Sequence, residues 1–147
     1  MLKHSFIAAI VLSLATLVQT LPALAAPATR QVTLAGHNFT VEIADTDAAR
    51  EHGLMFRTHM AADHGMLFIY PDAQPRYFWM KNTLIPLDIL FFDGERRLIN
   101  VSADTPPCKT AECPSYPSAA PAMYVLELNA SMAKKMRIKT GARFTVQ

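Results

Sequence analysis

Trp79, Lys81, Asn82, Thr83 and Asp88 sit close together, framed by the apolar runs Phe78–Met80 and Leu87–Phe92. An ammonium and a carboxylate inside apolar sequence need each other, because leaving either one buried and unpaired costs several kcal/mol. Alternation along a strand puts Tyr77, Trp79 and Lys81 on one face and Phe78 and Met80 on the other. It likewise groups Asp88 with Leu90 and Phe92. A hairpin with Lys81 opposite Asp88 would bring the two charges onto one sheet face beside Trp79. A slip of one residue would separate them. Two readings follow. In the first the pair is a structural ion pair, with Asn82 and Thr83 bonding turn backbone. In the second Trp79, Lys81, Asn82 and Asp88 floor a pocket, where the indole stacks on a ligand and the amine and amide donate to an anionic or hydroxyl-rich one.

A second group lies in His52–Met66. His59, Met60 and His64, with His52, Met55 and Met66 around them, are residue types that suit copper, through imidazole and thioether. The segment crosses a helix end, a loop and a strand start, so these ligands need not converge, and methionine is more often a core filler. Arg57 could hold a carboxylate bidentately or close a salt bridge at the end of a helix. Tyr116 could line a ligand site or pack on a disulfide. Glu127, between Leu126 and Leu128, is expected to face solvent or to pair with a base on a neighbouring strand. No Gly-x-Ser-x-Gly element is present, and paired cysteines would leave no thiol for catalysis. No motif requires a cofactor.

The elements that must position these residues are short. Gln31–Leu34 and Phe39–Ala44 read as strands around Gly36-His37-Asn38. Thr46–Gly53 reads as a helix with Asp45 or Thr46 as its N-cap and Gly53 as its terminator. Met66–Tyr70, Arg76–Lys81, Leu87–Phe92, Arg96–Ala103, Ala122–Leu128 and Ala142–Val146 read as further strands, with a hairpin signal at Asp93-Gly94. Ser131–Met136 reads as a second short helix. Asp104–Pro121, rich in proline and holding both cysteines, reads as a loop; loops of that length are usually functional or disordered. The expected fold is mostly β: a compact β-sandwich or jelly-roll-like barrel with one or two short helices.

The first residues carry an export signature. Lys3 precedes the apolar run Phe6–Val18, and Ala23-Leu24-Ala25 is a small-x-small cleavage site. Residues 1–25 are therefore expected to be a cleaved signal peptide, and residues 30–147 a single β domain with no membrane span after cleavage. Export would deliver the chain to the periplasm or the medium, where Cys108 and Cys113 would pair. The formal net charge of the whole chain is only +2. No basic stripe is available for nucleic acid.

A series of motifs along the chain resembles one family. These are Gly53-Leu54-Met55-Phe56-Arg57, Gly65-Met66-Leu67-Phe68, Phe78-Trp79-Met80-Lys81-Asn82-Thr83, Ile85-Pro86-Leu87-Asp88, Phe92-Asp93, Pro107-Cys108, Cys113-Pro114-Ser115-Tyr116 and Tyr124-Val125-Leu126-Glu127-Leu128. From Arg30 to Val146 the sequence resembles the domain of unknown function 192 family, also called uncharacterised protein family 0127. The resemblance implies a compact, mostly β domain of bacteria and archaea, often behind a signal or anchor, and assigns no catalytic residue. The family usually has glycine where Asn129-Ala130-Ser131 turns here.

Three functions are expected from these readings. The first is an exported binding or accessory module for a small polar ligand, a peptide or a protein partner, with its pocket at Trp79–Thr83. The second is a hydrolase or lyase using Asp88 as base with Lys81 beside it. The third is metal handling through the His/Met segment.

Overall fold

The computed structural model describes residues 28–147; the reading of residues 1–25 as a signal peptide lies outside them. Nine strands and two short helices follow in the order β1 (Thr29–Leu34), β2 (His37–Ala44), α1 (Asp47–His52), β3 (His64–Gln74), β4 (Tyr77–Trp79), β5 (Leu87–Phe92), β6 (Leu98–Thr105), β7 (Ser115–Pro117), β8 (Ala122–Asn129), α2 (Met132–Lys135) and β9 (Phe144–Val146). Seven strands make one sheet in the order β6-β5-β8-β3-β2-β1-β9, and β4 pairs with β7 in a small second sheet. Among the described strands only β2 and β3 pair in parallel, and α1 lies in the crossover between them. The mostly β class expected from the sequence holds, in the barrel-like form of a curled half-barrel. Backbone bonds from Leu98 to Ala142, from Gly141 to Leu98 and from Phe144 to Arg96 tie the start of β6 to the segment entering β9.

Both faces of the middle of this sheet are covered, which explains why β5 is apolar at nearly every position and buried along its whole length. The concave face packs Val32, Phe39, Leu67, Leu90, Phe92, Leu126 and Phe144. The convex face packs Phe68, Leu87, Ile89, Phe91 and Val125 beneath Leu54, Phe78 and Met80. Each such large side chain contributes about 1.5–3 kcal/mol when fully buried. Phe78 fastens the small sheet to the large one: its ring meets Phe68 edge-on at 4.9 Å and Phe91 at 5.7 Å.

Local chemistry sets the turns. The Thr46 hydroxyl accepts from the Ala49 amide and caps α1, which ends at Gly53 with φ 49° and ψ −133°. Gly65 lets β3 approach β8, since a Cβ there would fall 2.5 Å from the Glu127 carbonyl oxygen. After β5 the left-handed residue is Arg96 (φ 63°) and not Gly94. Asp93 organises that turn by accepting from the amides of Glu95 and Arg97.

Two sequence expectations need correction. β4 and β5 do not form a hairpin: β5 lies between β6 and β8, while β4 pairs with β7. Pro86 and the left-handed Asn82 (φ 55°) let the chain leave one sheet for the other. The segment expected to be all loop contributes the end of β6 and the whole of β7, because β4 needs a partner strand and Ser115–Pro117 supplies it.

Candidate functional site

Asp88, on which the expected hairpin turned, does not face Lys81. Its side chain points to the concave face with Leu90 and Phe92 and is fully buried. The Oδ1 atom accepts from the amides of Asp104 (2.8 Å) and Ser131 (3.1 Å), and Oδ2 from Ala133 (2.8 Å). Ser131 and Ala133 open α2, whose N-cap Ser131 makes no capping bond of its own. The carboxylate thus caps α2 from a neighbouring strand and ties down the end of β6. It has no contact with Lys81, and both the proposed ion pair and the role of Asp88 as pocket floor or catalytic base are withdrawn.

The other residues of the motif stay together. Tyr77 and Trp79 project outward from β4, 72% and 50% exposed, while Phe78 and Met80 point inward. Lys81 lies half-buried with its Nζ 5.1 Å from the Trp79 ring centroid, a cation–π arrangement. Among the described residues it pairs with no acid. These side chains edge a cleft between α1 and the convex face with a cavity volume of about 80 Å³, room for the end of a ligand rather than for a whole drug-sized one. The α1 segment Arg50–Met55 forms one wall, Phe68, Tyr70 and Phe78 the inner surface, and Trp79, Lys81 and Thr83 the other wall. Beyond Trp79 and Lys81 the cleft continues into a shallower hollow edged by Ala48, His52, Met55 and Asn82.

The turn carrying Lys81 is held from two sides. The Cys108–Cys113 disulfide is formed. Asn82 donates its amide to the Cys108 carbonyl (2.9 Å), and Cys108 donates its own to Met80 (3.2 Å). On the α1 side, Phe56 donates to the Asn82 carbonyl (2.8 Å) and the Asn82 amide group reaches the Met55 sulfur (3.9 Å). Thr83 is buried beside them.

At the inner end of the cleft lies Glu127. It stands in β8 between Met66 of β3 and Ile89 of β5, so its side chain shares the convex face with Phe68, Ile89 and Val125. It is 5% exposed. Among the described residues its carboxyl accepts no hydrogen bond and meets no cation. Among the described residues no side-chain oxygen sealed from solvent lacks a partner, so the Glu127 oxygens keep their solvent contact through the cleft they line. Burial without compensation pushes its pKa from 4.5 to about 8. Tyr70, on the same face, has its phenol pKa raised by burial; the Arg76 and Arg50 guanidiniums oppose that shift and the charge of Glu127 adds to it. Arg76 stacks on the Tyr70 ring at 3.8 Å and Arg50 at 5.1 Å.

The motifs and the architecture both recur in other proteins. The family described as "Uncharacterized ACR", DUF192, matches residues 30–146. The chain belongs to the DUF192 family. Two solved structures resemble it closely. One is a Sinorhizobium meliloti 1021 protein proposed as a transcription regulator, 37% identical, with a TM-score of 0.78 over 84% of this chain and 98% of its own. The other is a Novosphingobium aromaticivorans DSM 12444 protein of unknown function, 37% identical, with a TM-score of 0.75 over 82% of this chain and 93% of its own. No curated protein matches the chain.

The remaining sequence candidates of this DUF192 chain fall outside the cleft. Arg57 is bidentate to Glu42 of β2 (2.6 and 2.9 Å), so its fork is occupied within the protein. Tyr116 pairs with Phe78 across β4 and β7 and, like Cys113, packs against the edge of the convex core. Met60 is buried in that core, His59 is exposed, and His64 bonds Asp63 at 2.9 Å. No group of three His, Cys, Asp or Glu side chains able to hold a metal occurs among the described residues.

Glu127 was legible in principle. Alternation at Tyr124, Leu126 and Leu128 sends it to the opposite face, where the sequence suggests solvent or a base on a neighbouring strand. Met123 and Val125 make the run apolar on both faces, so a strand in the middle of the sheet, and a buried acid, were the better inference.

Proposed function

We propose that the chain is an exported periplasmic or secreted β domain that binds a small polar ligand, or the end of a peptide, in the cleft beside Trp79–Thr83. The observation that carries this reading is the pairing of a half-exposed indole with an unpartnered lysine at the mouth of an open, aromatic-lined cleft. Side by side at the cleft mouth, the indole supplies a stacking surface and the amine a donor. The export signature and the Cys108–Cys113 bridge support an oxidising location. Catalysis by Asp88 and Lys81 has lost its geometry and is not retained.

Trp79 is the chain's single tryptophan, so its emission reports the cleft directly. A library of small polar metabolites and short peptides is expected to contain members that shift it, and Lys81→Met is expected to fold normally and weaken that response about tenfold, the effect of losing one charged contact. A library that leaves Trp79 emission unmoved, or an unaltered response in the variant, rejects the reading.

A further inference from the structure

The least explained group in the molecule is the Glu127 carboxyl, which the binding reading above does not use. Among the described residues every other fully buried charge has partners: Asp88 holds three amides. Glu127 has none, yet it is nine-tenths buried and reaches solvent through a cleft with five aromatic rings, Phe68, Tyr70, Tyr77, Phe78 and Trp79, in its lining. Resting on the reading that this cleft binds a ligand, we infer that the ligand presents a cationic ammonium end, primary or quaternary, which seats on the Glu127 carboxylate among the aromatic rings.

The chemistry follows from what the cleft lacks. A carboxylate in an apolar enclosure is destabilised until a positive charge joins it, and aromatic faces attract such a charge in proportion to how dry the site is. A neutral or anionic ligand gives the carboxyl no reason to ionise and leaves it protonated, whereas a cation is held by its ionised form. The protein's own cations do not fill the place. Arg50 is committed to Asp47 and to the carbonyls of Asp45 and Ile69. Arg76 is committed to Asp72 and the Ala122 carbonyl. Lys81 lines both the inner cleft and the outer hollow, which places it at the mouth, whereas Glu127 lines only the inner part. Its like charge rejects a ligand that is cationic throughout, so the end left at the mouth is neutral or anionic.

Binding is then linked to proton release. Because Glu127 holds its proton to about pH 8, a cation must displace that proton at neutral pH, and its affinity rises about tenfold for each pH unit up to that point. The other titratable or charged groups facing the cleft are Arg50, Glu51 and His52 of α1, Tyr70 of β3, Tyr77 of β4 and Lys81. A Glu127→Gln control retains all of them and so isolates the contribution of Glu127.

The test is an amide-shift NMR titration of the folded protein between pH 6 and 8. The probes are choline chloride and n-butylammonium chloride as cations, 3,3-dimethyl-1-butanol as the neutral isostere of choline, and sodium valerate as an anion. The expected result is that at least one cation shifts the Phe68, Trp79 and Glu127 resonances, with affinity rising about tenfold per pH unit, and that Glu127→Gln abolishes both the rise and most of the affinity. Choline acting alone assigns a quaternary head, and butylammonium acting alone a primary amine. If the alcohol or valerate binds as well as the cations, or Glu127→Gln keeps the cation affinity, the inference is overturned while the cleft survives as a binding site. If no probe moves any cleft resonance, the inference falls and the binding reading is left to the Trp79 library.

Discussion

At the scale of single residues, two buried acids on adjacent strands show how environment assigns a role. Asp88 and Glu127 are both buried in apolar strands, one on each face of the same sheet. Asp88 meets three amides, and hydrogen bonds to a charged acceptor are worth about 1.5–3 kcal/mol each. Glu127 meets none and therefore holds its proton. Asp88→Asn turns one acceptor into a donor facing an amide, and is expected to lower unfolding stability by roughly 3 kcal/mol while leaving Trp79 emission and any ligand response of the folded protein unchanged. Urea unfolding with parallel fluorescence titration checks this; a stable variant that has lost the response would return Asp88 to the site. The sequence made both charges conspicuous but pointed to the wrong partner for one and the wrong face for the other. Which side of a doubly covered strand a residue occupies depends on which neighbours flank it, and those neighbours come from distant parts of the chain.

At the scale of elements, local patterns were readable wherever one rule dominates. The boundaries of β5 match the apolar run Leu87–Phe92, and α1 begins and ends at the capping threonine and the glycine that the sequence marked. Pairing was not readable. Lys81 and Asp88 look like neighbours across a turn, but the connection carries the chain from the small sheet to the large one. The Pro-rich segment after β6 hid β7 because a strand of three residues has too short a pattern to stand out. Through Cys108 that segment holds the Met80–Thr83 turn, which forms a wall of the cleft. A bridge closing so short a loop is worth only ~2 kcal/mol, so its effect is local. Replacing both cysteines with serine is expected to cost about that much in global stability and to speed hydrogen exchange at the Asn82 and Cys108 amides well before the β5 and β8 amides respond. Uniform exchange across all of these would show that the bridge does not set the turn.

At the scale of the whole molecule, the half-barrel uses its two faces differently. The concave face is closed by packing and by Asp88 at one end. The convex face is only partly covered, by α1 and the β4–β7 pair, and the gap between those covers is the cleft with Glu127 inside it. An acid almost wholly buried and without a protein partner is the central feature of this arrangement, and pH linkage reports that state directly. A carboxyl whose native pKa is raised from 4.5 to about 8 binds protons more tightly when folded. Its favourable contribution is complete below pH 4.5 and is lost as pH rises through 8. Glu127→Gln removes the titration and keeps the shape. The deciding measurement is the unfolding free energy of wild type and Glu127→Gln across this pH range. The variant's advantage over wild type is expected to grow steadily with pH above about 4.5, reaching on the order of 5 kcal/mol by about pH 9. A difference between the two proteins that stays flat from pH 5 to 9 would mean the acid ionises as readily in the folded protein as in water, and would contradict the account.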